Sequence, residues 1–206
     1  MYAKLSMQIL PRLIPVGSRI LVAVSGGPDS IALAHILWRY MHEHRDQQLS
    51  LVITHVNHKA RKEADQEAML VRKLAEKWEL PFILHEFNAK EYASFSRLSF
   101  QEAAREWRYA RWQEDMKRYN CELLATAHHL GDQAETVLYR LLRGSGTAGL
   151  AGIYPAKDKI IRPLLGITKQ QILDYCMEFR LPYAVDHSNN ELVYDRNRIR
   201  LQLIPE

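Results

Sequence analysis

The most restrictive feature of this sequence is the stretch ILVAVSGGPDSIALAHIL at residues 20–37. One apolar run enters a glycine-rich turn, and a second apolar run leaves it. This order predicts a buried strand, a tight turn and a helix, which together begin a βαβ unit. Ligands of open parallel sheets bind beyond the carboxyl ends of the strands, so the turn is a candidate phosphate-binding site.

The rest of the sequence repeats this alternation of short β-rich runs and longer helical patterns. We predict strands at residues 19–24, 49–55, 82–87, 122–127 and 160–164, and helices at residues 29–42, 62–78, 100–119, 132–143 and 169–179. The pattern predicts one doubly wound α/β domain over residues 1–206, with a mostly parallel five-stranded sheet and helices on both faces.

Local signals refine the ends of three helices. Capping boxes pair Ser99 with Glu102 and Thr168 with Gln171, so a helix should start after each Ser or Thr. The first residues predict a short amphipathic helix that ends at Pro11 or Pro15.

Cysteine usage and hydropathy exclude several classes of protein. The two cysteines, Cys121 and Cys176, stand far apart, which excludes a disulfide framework, a Cys-x-x-Cys redox site and a four-cysteine zinc site. A reducing, cytoplasmic location is therefore expected. No apolar run reaches membrane-spanning length, so we expect no membrane partner. The net charge of +4 permits a nucleotide or RNA partner without requiring one.

The glycine-rich turn reads SGGPDS from Ser25 to Ser30. Gly26 and Gly27 let the backbone approach a ligand, and the following helix start favours an anion. The turn has neither the Gly-Lys-Ser/Thr ending of a Walker A loop nor dinucleotide-binding spacing, so positive charge must come from elsewhere. Asp29 suits a place beside phosphates if magnesium lies between them. The alternative is a tight turn in which Asp29 or Ser30 merely caps a helix.

A second polar cluster follows the fourth predicted strand. In a helix that begins near His128, the side chains of His128, Asp132 and Glu135 share a face that points toward the ligand crevice. A solvated helix face with acidic residues near its start is the alternative. A zinc site is weakly supported because no cysteine accompanies these residues, and magnesium shared with phosphate fits their hard oxygens better.

A literal G-x-G-x-x-G occurs at Gly144, Gly146 and Gly149. These glycines follow a helix instead of a strand, and no acidic ribose partner appears about 20 residues later, which rejects a dinucleotide site. Two interpretations remain open: a helix C-cap with a flexible loop, or a mobile loop beside the site.

Arginines form two further groups. Arg105 and Arg108 share a helix face and suit a phosphate or a leaving pyrophosphate, although an exposed arginine face with inward-packed aromatics is the alternative. Arg196, Arg198 and Arg200 have two-residue spacing, which an extended segment would align on one side. They could instead be the surface of a last helix.

These motifs together resemble a known family. SGGPDS is similar to the PP-loop of N-type ATP pyrophosphatases, which release pyrophosphate and leave an adenylate on the substrate. The wider match resembles the catalytic domain of the bacterial tRNA(Ile)-lysidine synthetase family. It rests on HHLGDQAETVLYRLLRGSGTAGLAGI at 128–153, HVNHKAR at 55–61, QEAAREWRY at 101–109, RPLL at 162–165, DHSN at 186–189 and RNRIR at 196–200.

The resemblance implies a set of site residues. For ATP it implies Ser25, Gly26, Gly27, Pro28, Asp29, Ser30, His55, Arg143 and Gly144. For catalysis it implies Asp29, Asp132, His128 and Arg105, with magnesium at Asp29, lysine at Asp132 and Glu135, and tRNA or ATP at Arg196 and Arg200. Family members continue with C-terminal domains that help to hold the tRNA, so the polar segment at 186–206 is expected to lead to a tRNA-binding region that is missing here.

The implied reaction uses ATP and magnesium to adenylate the C2 oxygen of a tRNA(Ile) wobble cytidine, and free L-lysine then displaces AMP. A homodimer is compatible with the family, although no heptad pattern requires one. Another PP-loop enzyme, of the cytidine-thiolating type, would want paired cysteines for sulfur transfer or an iron–sulfur cluster. A non-catalytic ATP-binding module would not need acids next to phosphates.

Overall fold

The computed structural model describes residues 1–59, 63–87, 100–144, 146 and 149–184, without the side chains of residues 100–103 and 149. The predicted capping box at Ser99 and Glu102 lies outside this described part. So do Arg196, Arg198 and Arg200 and the whole polar segment at 186–206.

The described residues form the predicted alternation of strands and helices. The strands are β1 Arg19–Ala23, β2 Ser50–Asn57, β3 Phe82–Glu86, β4 Leu123–Ala125, β5 Ala156–Lys157 and β6 Ile160–Ile161. The longer helices are α1 Pro28–Glu43, α2 Ala64–Lys77, α3 Phe100–Arg118, α4 Leu130–Leu142 and α5 Lys169–Glu178. Short 3₁₀ turns occupy Arg45–Gln47 and Gly149–Ala151. None of the helices in the described ranges is long and apolar enough to cross a membrane.

The first helical segment runs past Pro11 and ends before Pro15, so of the two predicted ends the second is confirmed and the first is wrong. α-Helical turns at Tyr2–Lys4 and Leu10–Leu13 flank a π-helical stretch, Leu5–Ile9. The Leu10 N–H bonds to Leu5 O, five residues back. Pro11 lies in the first turn of the segment after this shift, where a missing N–H is tolerated, and the helix ends before Pro15.

The sheet has six strands in the order β3-β2-β1-β4-β6-β5. All neighbours are parallel except β5, which pairs antiparallel with β6. The doubly wound α/β class is confirmed, but the predicted five strands become six. The extra strand, β5, is two residues long and exposed, so it carries no alternation of apolar and polar residues that a sequence pattern could reveal.

Both faces of the sheet are covered, and β1 shows why. Ile20 and Val22 pack on one side into the core under α1 and α5, whereas Leu21 points to the other side and meets Trp112 of α3. All three strand residues are fully buried. Burial of each such side chain contributes roughly 2 kcal/mol to stability, which explains the continuous apolar run of this strand.

The topology also fixes where a ligand can bind. β1 pairs with β2 through Leu21 and Val52 and with β4 through Leu21 and Leu124. The chain first runs outward from β1 to β3 and then crosses back to place β4 on the other side of β1. Such a switch point opens a crevice beyond the carboxyl ends of the strands.

Candidate active site

A cleft of about 940 Å³ opens at this switch point. The glycine-rich turn, the end of β2, one face of α3 and the segment after β4 form its walls, with one residue from α4 and two each from α2 and α5. Its principal polar lining residues are Ser25, Asp29, Ser30, Thr54, Asn57, His58, Arg105, Arg108, Tyr109, Thr126, His128, Asp132 and Lys169. The structure therefore brings the loop, Arg105, His128 and Asp132 to one cavity.

The two serines of the turn bond mainly to the turn itself. The Ser25 N–H donates to Ser30 Oγ at 3.0 Å, and that hydroxyl donates to Gly27 O at 3.0 Å. Ser25 Oγ lies 3.1 Å from Ser30 Oγ. These bonds fix the loop before any ligand arrives, which is the condition for a preorganised binding site.

Gly26 is required by its backbone conformation, since a Cβ here would meet its neighbours only at ordinary contact distance. Its φ is +95°, and a Cβ at this position would lie 3.4 Å from Glu67 Cβ. Its carbonyl oxygen accepts a hydrogen bond from the Ala184 N–H at 2.9 Å. Gly27 then starts α1 without a side-chain cap. The positive end of the helix dipole consequently faces the cleft, which favours an anion.

Asp29 forms an ion pair that the sequence does not reveal. Lys169 Nζ lies 2.6 Å from Asp29 Oδ1, although 140 residues separate the two. Lys169 is the first residue of α5, and the predicted capping box of Thr168 and Gln171 that starts this helix is confirmed. The capping box predicts from sequence that Lys169 lies in the first turn of a helix, but no sequence signal links that turn to the glycine loop.

The start of α4 differs from the arrangement that the sequence suggested. His129 is the N-cap: its Nδ1 accepts from the Gly131 N–H at 3.0 Å, and its own N–H donates to Asp132 Oδ2 at 2.9 Å. The helix begins at Leu130, so His128 precedes it instead of sharing a face with Asp132 and Glu135. His128 Nδ1 lies 3.0 Å from Thr126 Oγ1 on the cleft wall, whereas Glu135 is buried within α4.

At the α3 end of the cleft, buried polar atoms lack partners. Among the described residues, His58 Nδ1 and Trp112 Nε1 have no hydrogen-bond partner. Burial, with smaller contributions from Arg108 and His55, lowers the pKa of His58 to about 4. Burial and the neighbouring Arg105 likewise lower the pKa of Arg108. This end therefore carries polar groups that a bound ligand could satisfy.

His55 lies just behind the loop and is 2% exposed. Its Nδ1 is 2.7 Å from Val24 O, so the ring supports the end of β1, while its Nε2 has no partner in the described structure. Burial lowers the pKa of His55 as well, and the imidazole is neutral near pH 7. Its predicted contact with the nucleotide stays a prediction.

Arg105 and Arg143 lie in different places. Arg105 lines the cleft, with its guanidinium carbon 4.9 Å from the Tyr109 ring centroid. Arg143 and Gly144 follow the last turn of α4, roughly 16 Å along the helix axis from Asp132 at about 1.5 Å per residue. They are exposed, and the described cleft lining does not include them, so their predicted contact with ATP stays a prediction.

Magnesium fits this cleft only as an ion shared with a ligand. No group of three or more His, Cys, Asp or Glu side chains that could hold a metal occurs among the described residues. Asp29 nevertheless presents a carboxylate beside the helix start. Magnesium is commonly held by one or two carboxylates together with phosphate oxygens and water. Asp29 would supply one such carboxylate, and a bound phosphate would supply the other oxygens.

Comparison with known proteins agrees with the fold and with the loop. The sequence matches the PP-loop domain family over residues 3–206. It is 40% identical to tRNA(Ile)-lysidine synthase of Clostridium tetani (strain Massachusetts / E88), over 92% of this chain and 40% of that protein. It is 43% identical to tRNA(Ile)-lysidine synthase of Symbiobacterium thermophilum, over 92% of this chain and 39% of that protein. The chain thus spans about two fifths of the length of these relatives.

A solved structure supports the fold alone. The U34-tRNA thiolase NcsA from Methanococcus maripaludis, determined with its [4Fe-4S] cluster, superposes with a TM-score of 0.78. The match covers 97% of this chain and 68% of that one, at 19% sequence identity.

Proposed function

This chain belongs to the PP-loop family, and we propose that it is the ATP-using unit of a tRNA(Ile)-lysidine synthetase. The C2 oxygen of the wobble cytidine attacks the α-phosphorus of ATP, and pyrophosphate leaves. The amine of L-lysine then attacks the activated C2, AMP leaves, and lysidine forms. The proposal is carried by the SGGPDS loop, which opens into a cleft shared by Asp29, Arg105 and Asp132.

We propose that the loop binds the triphosphate of ATP. Gly26 keeps side-chain atoms away from the loop backbone, and the uncapped start of α1 offers N–H groups and a favourable dipole to the phosphates. Asp29 would hold magnesium together with phosphate oxygens. When bound there, the ion supplies charge neutralisation for the departing pyrophosphate.

Arg105 is the proposed partner of the leaving pyrophosphate or of the RNA backbone. A planar guanidinium can donate two parallel hydrogen bonds to phosphate oxygens. Arg108 lies one turn further along the same helix and lines the same cleft. Arg196 and Arg200, outside the described residues, stay predicted contacts to tRNA or ATP.

Asp132 is the better of the two proposed lysine ligands, because it lines the cleft whereas Glu135 is buried within α4. Lysine must lose a proton from its ammonium before it can attack. His128, on the same wall, and the neighbouring carboxylates are the candidate acceptors of that proton. Replacement of His128 that left the pH–rate profile unchanged would remove it from this role.

Paired variants of Asp132 separate its charge from its capping role. Asp132→Asn keeps an acceptor for the His129 N–H but loses the charge, so we expect the KM for lysine to rise about tenfold with little change in stability. Asp132→Ala also breaks the capping box and should cost about 1 kcal/mol of unfolding free energy. Steady-state kinetics and urea denaturation measure the two effects.

The exposed Asp174→Asn on α5 is the matched control for loss of one carboxylate charge. If Asp132→Asn retained the wild-type KM for lysine, the carboxylate would not bind the amine, and its role would be confined to the start of α4.

We further infer that tRNA(Ile), L-lysine and ATP are the partners, and these substrates imply a cytoplasmic location. A homodimer stays a prediction. Thiolation is disfavoured because Cys121 and Cys176 lie in cores on opposite faces of the sheet. Burial raises the pKa of each thiol to about 11, so neither is a thiolate near neutral pH.

The test of the proposed function is release of AMP and pyrophosphate from ATP with magnesium and an unmodified tRNA(Ile) transcript, with and without lysine. Pyrophosphate release should require the tRNA, and AMP release should require both tRNA and lysine. ATP binding without turnover under every condition would mean either that the tRNA-holding region of the relatives is needed or that the unit is a non-catalytic binding module. If a longer chain with that region also failed to turn over ATP, the synthetase would be contradicted.

A further inference from the structure

The glycine loop lacks the lysine that Walker loops carry in their own sequence, and its one charged side chain, Asp29, is negative. A triphosphate placed on this loop therefore needs positive charge from another part of the chain. In the described lining of the cleft, the lysine and arginine side chains are those of Arg105, Arg108 and Lys169. Both arginines belong to α3, whereas the lysine touches the loop.

The start of α5 is fixed against this loop by several contacts. Lys169, Leu173 and Cys176 lie on one face of the helix at i, i+4 and i+7. Lys169 and Leu173 line the cleft, and Cys176 Sγ donates to Pro28 O at 3.6 Å. The capping box at Thr168 sets the first residue of the helix. The backbone of Lys169 is consequently anchored at the loop, while its side chain can still turn.

The ion pair with Asp29 is easily exchanged. The side chain of Lys169 is 45% exposed and that of Asp29 is 27% exposed. A pair this exposed contributes little to stability, so Nζ can leave the carboxylate at small cost. A phosphate group carries more negative charge than one carboxylate, and lysine is a common phosphate ligand.

We propose that Lys169 binds the β- and γ-phosphates of ATP from outside the loop, in place of a lysine within it. In the free protein Nζ neutralises Asp29. When ATP binds, Nζ moves to the phosphate oxygens and Asp29 is released to face magnesium. The inference rests on the proposed function only in that it takes ATP as the ligand of the loop.

The test compares the binding of AMP, ADP and ATP, each with magnesium, by calorimetry on the whole chain. Lys169→Gln should weaken ATP binding by at least about tenfold and leave AMP binding within about twofold of wild type. Lys169→Arg keeps the charge and should restore most of the ATP affinity. Lys157→Gln is the matched control, since Lys157 is exposed on β5 and lies outside the described cleft lining.

Two results would overturn the inference. If Lys169→Gln weakened AMP and ATP equally, the residue would act on loop structure and not on the terminal phosphates. If its ATP affinity matched that of Lys157→Gln, the residue would have no role in binding. Circular dichroism of each variant shows that it is folded.

The same variants keep this inference separate from the synthetase proposal. Loss of ATP affinity in Lys169→Gln, in a chain that releases no AMP with tRNA and lysine, would retain the phosphate ligand and remove the synthetase. If Lys169→Gln kept wild-type ATP affinity while the chain showed tRNA- and lysine-dependent turnover, Lys169 would be excluded as a phosphate ligand and the synthetase would be retained.

Discussion

The two ends of the cleft treat their polar atoms in opposite ways. At the loop end, Ser25 and Ser30 bond to the turn, and Asp29 pairs with Lys169. At the α3 end, His58 Nδ1 and Trp112 Nε1 are buried without partners among the described residues. The first arrangement stabilises the protein before a ligand binds, whereas the second carries a desolvation cost that a ligand can relieve.

This difference indicates that the two ends of the cleft bind different parts of a ligand. A loop held by its own hydrogen bonds presents backbone N–H groups in fixed directions, which suits the constant geometry of phosphates. Unpartnered ring nitrogens beside two arginines can adapt to a polar ligand such as a nucleoside. We therefore expect changes at the loop end to affect turnover and loop structure, and changes at the α3 end to affect affinity more than stability.

The largest expected effect comes from Asp29→Asn, which tests whether the loop end is the reacting end. AMP release should fall by about 100-fold or more, because the proposed magnesium loses its carboxylate. The free energy of unfolding should change by less than about 1 kcal/mol, since the ion pair with Lys169 is partly exposed. Turnover within threefold of wild type would place the metal elsewhere.

A smaller effect is expected from Ser30→Ala, which removes the hydroxyl that closes the loop. The Ser25 N–H loses its acceptor, so the loop should loosen, ATP affinity should fall about tenfold, and stability should fall by about 1 kcal/mol. Calorimetric titration with ATP and urea denaturation measure the two losses. Ser6→Ala, in the first helical segment and outside the described cleft lining, controls for removal of a buried serine.

The smallest effect at neutral pH is expected from His58→Leu at the α3 end. Removal of an unpartnered buried nitrogen should leave stability unchanged or raise it by up to about 1 kcal/mol, while ATP affinity falls about threefold. A loss of stability larger than the loss caused by Ser30→Ala would show that the α3 end, like the loop end, stabilises the protein.

The same variant should also change how stability depends on pH. The pKa of His58 is about 4 in the folded protein and about 6.5 in the unfolded chain. The unfolded state therefore takes up the proton first, so stability is full above pH 6.5 and falls as the pH drops toward about 4. Urea midpoints for His58→Leu should fall less steeply over this window. Part of this pH dependence should remain in the variant, because the pKa of His35 is also lowered to about 4.

Strong periodicity made most of the fold predictable. β1, α1 and the capping box of α5 lie where local sequence signals put them, because apolar runs, a glycine turn and Thr168 act over a few residues. β5 was missed because two residues are too few to show the alternation of apolar and polar residues that marks a strand. The start of α4 was displaced because its N-cap is His129, which is not one of the usual capping residues.

Topology predicts the site residues that follow strands, whereas Arg105, on α3, was predicted from its motif and lines the cleft. The loop comes directly after β1, and Asp132 lies in the first turn of the helix that follows β4, so topology alone places both at one sheet edge. Lys169 comes from a helix 140 residues away from Asp29, and pairing across that distance depends on packing of α5 on α1. No alternation or spacing in the sequence encodes such a contact.

The parallel order of the sheet has a consequence for synthesis on the ribosome. β1 and the loop emerge early, yet β1 pairs with β4 about a hundred residues later, and Asp29 meets its lysine later still. Non-local pairing of this kind slows folding. The cleft therefore lacks Lys169 and Leu173, two of its described lining residues, until α5 has left the exit tunnel.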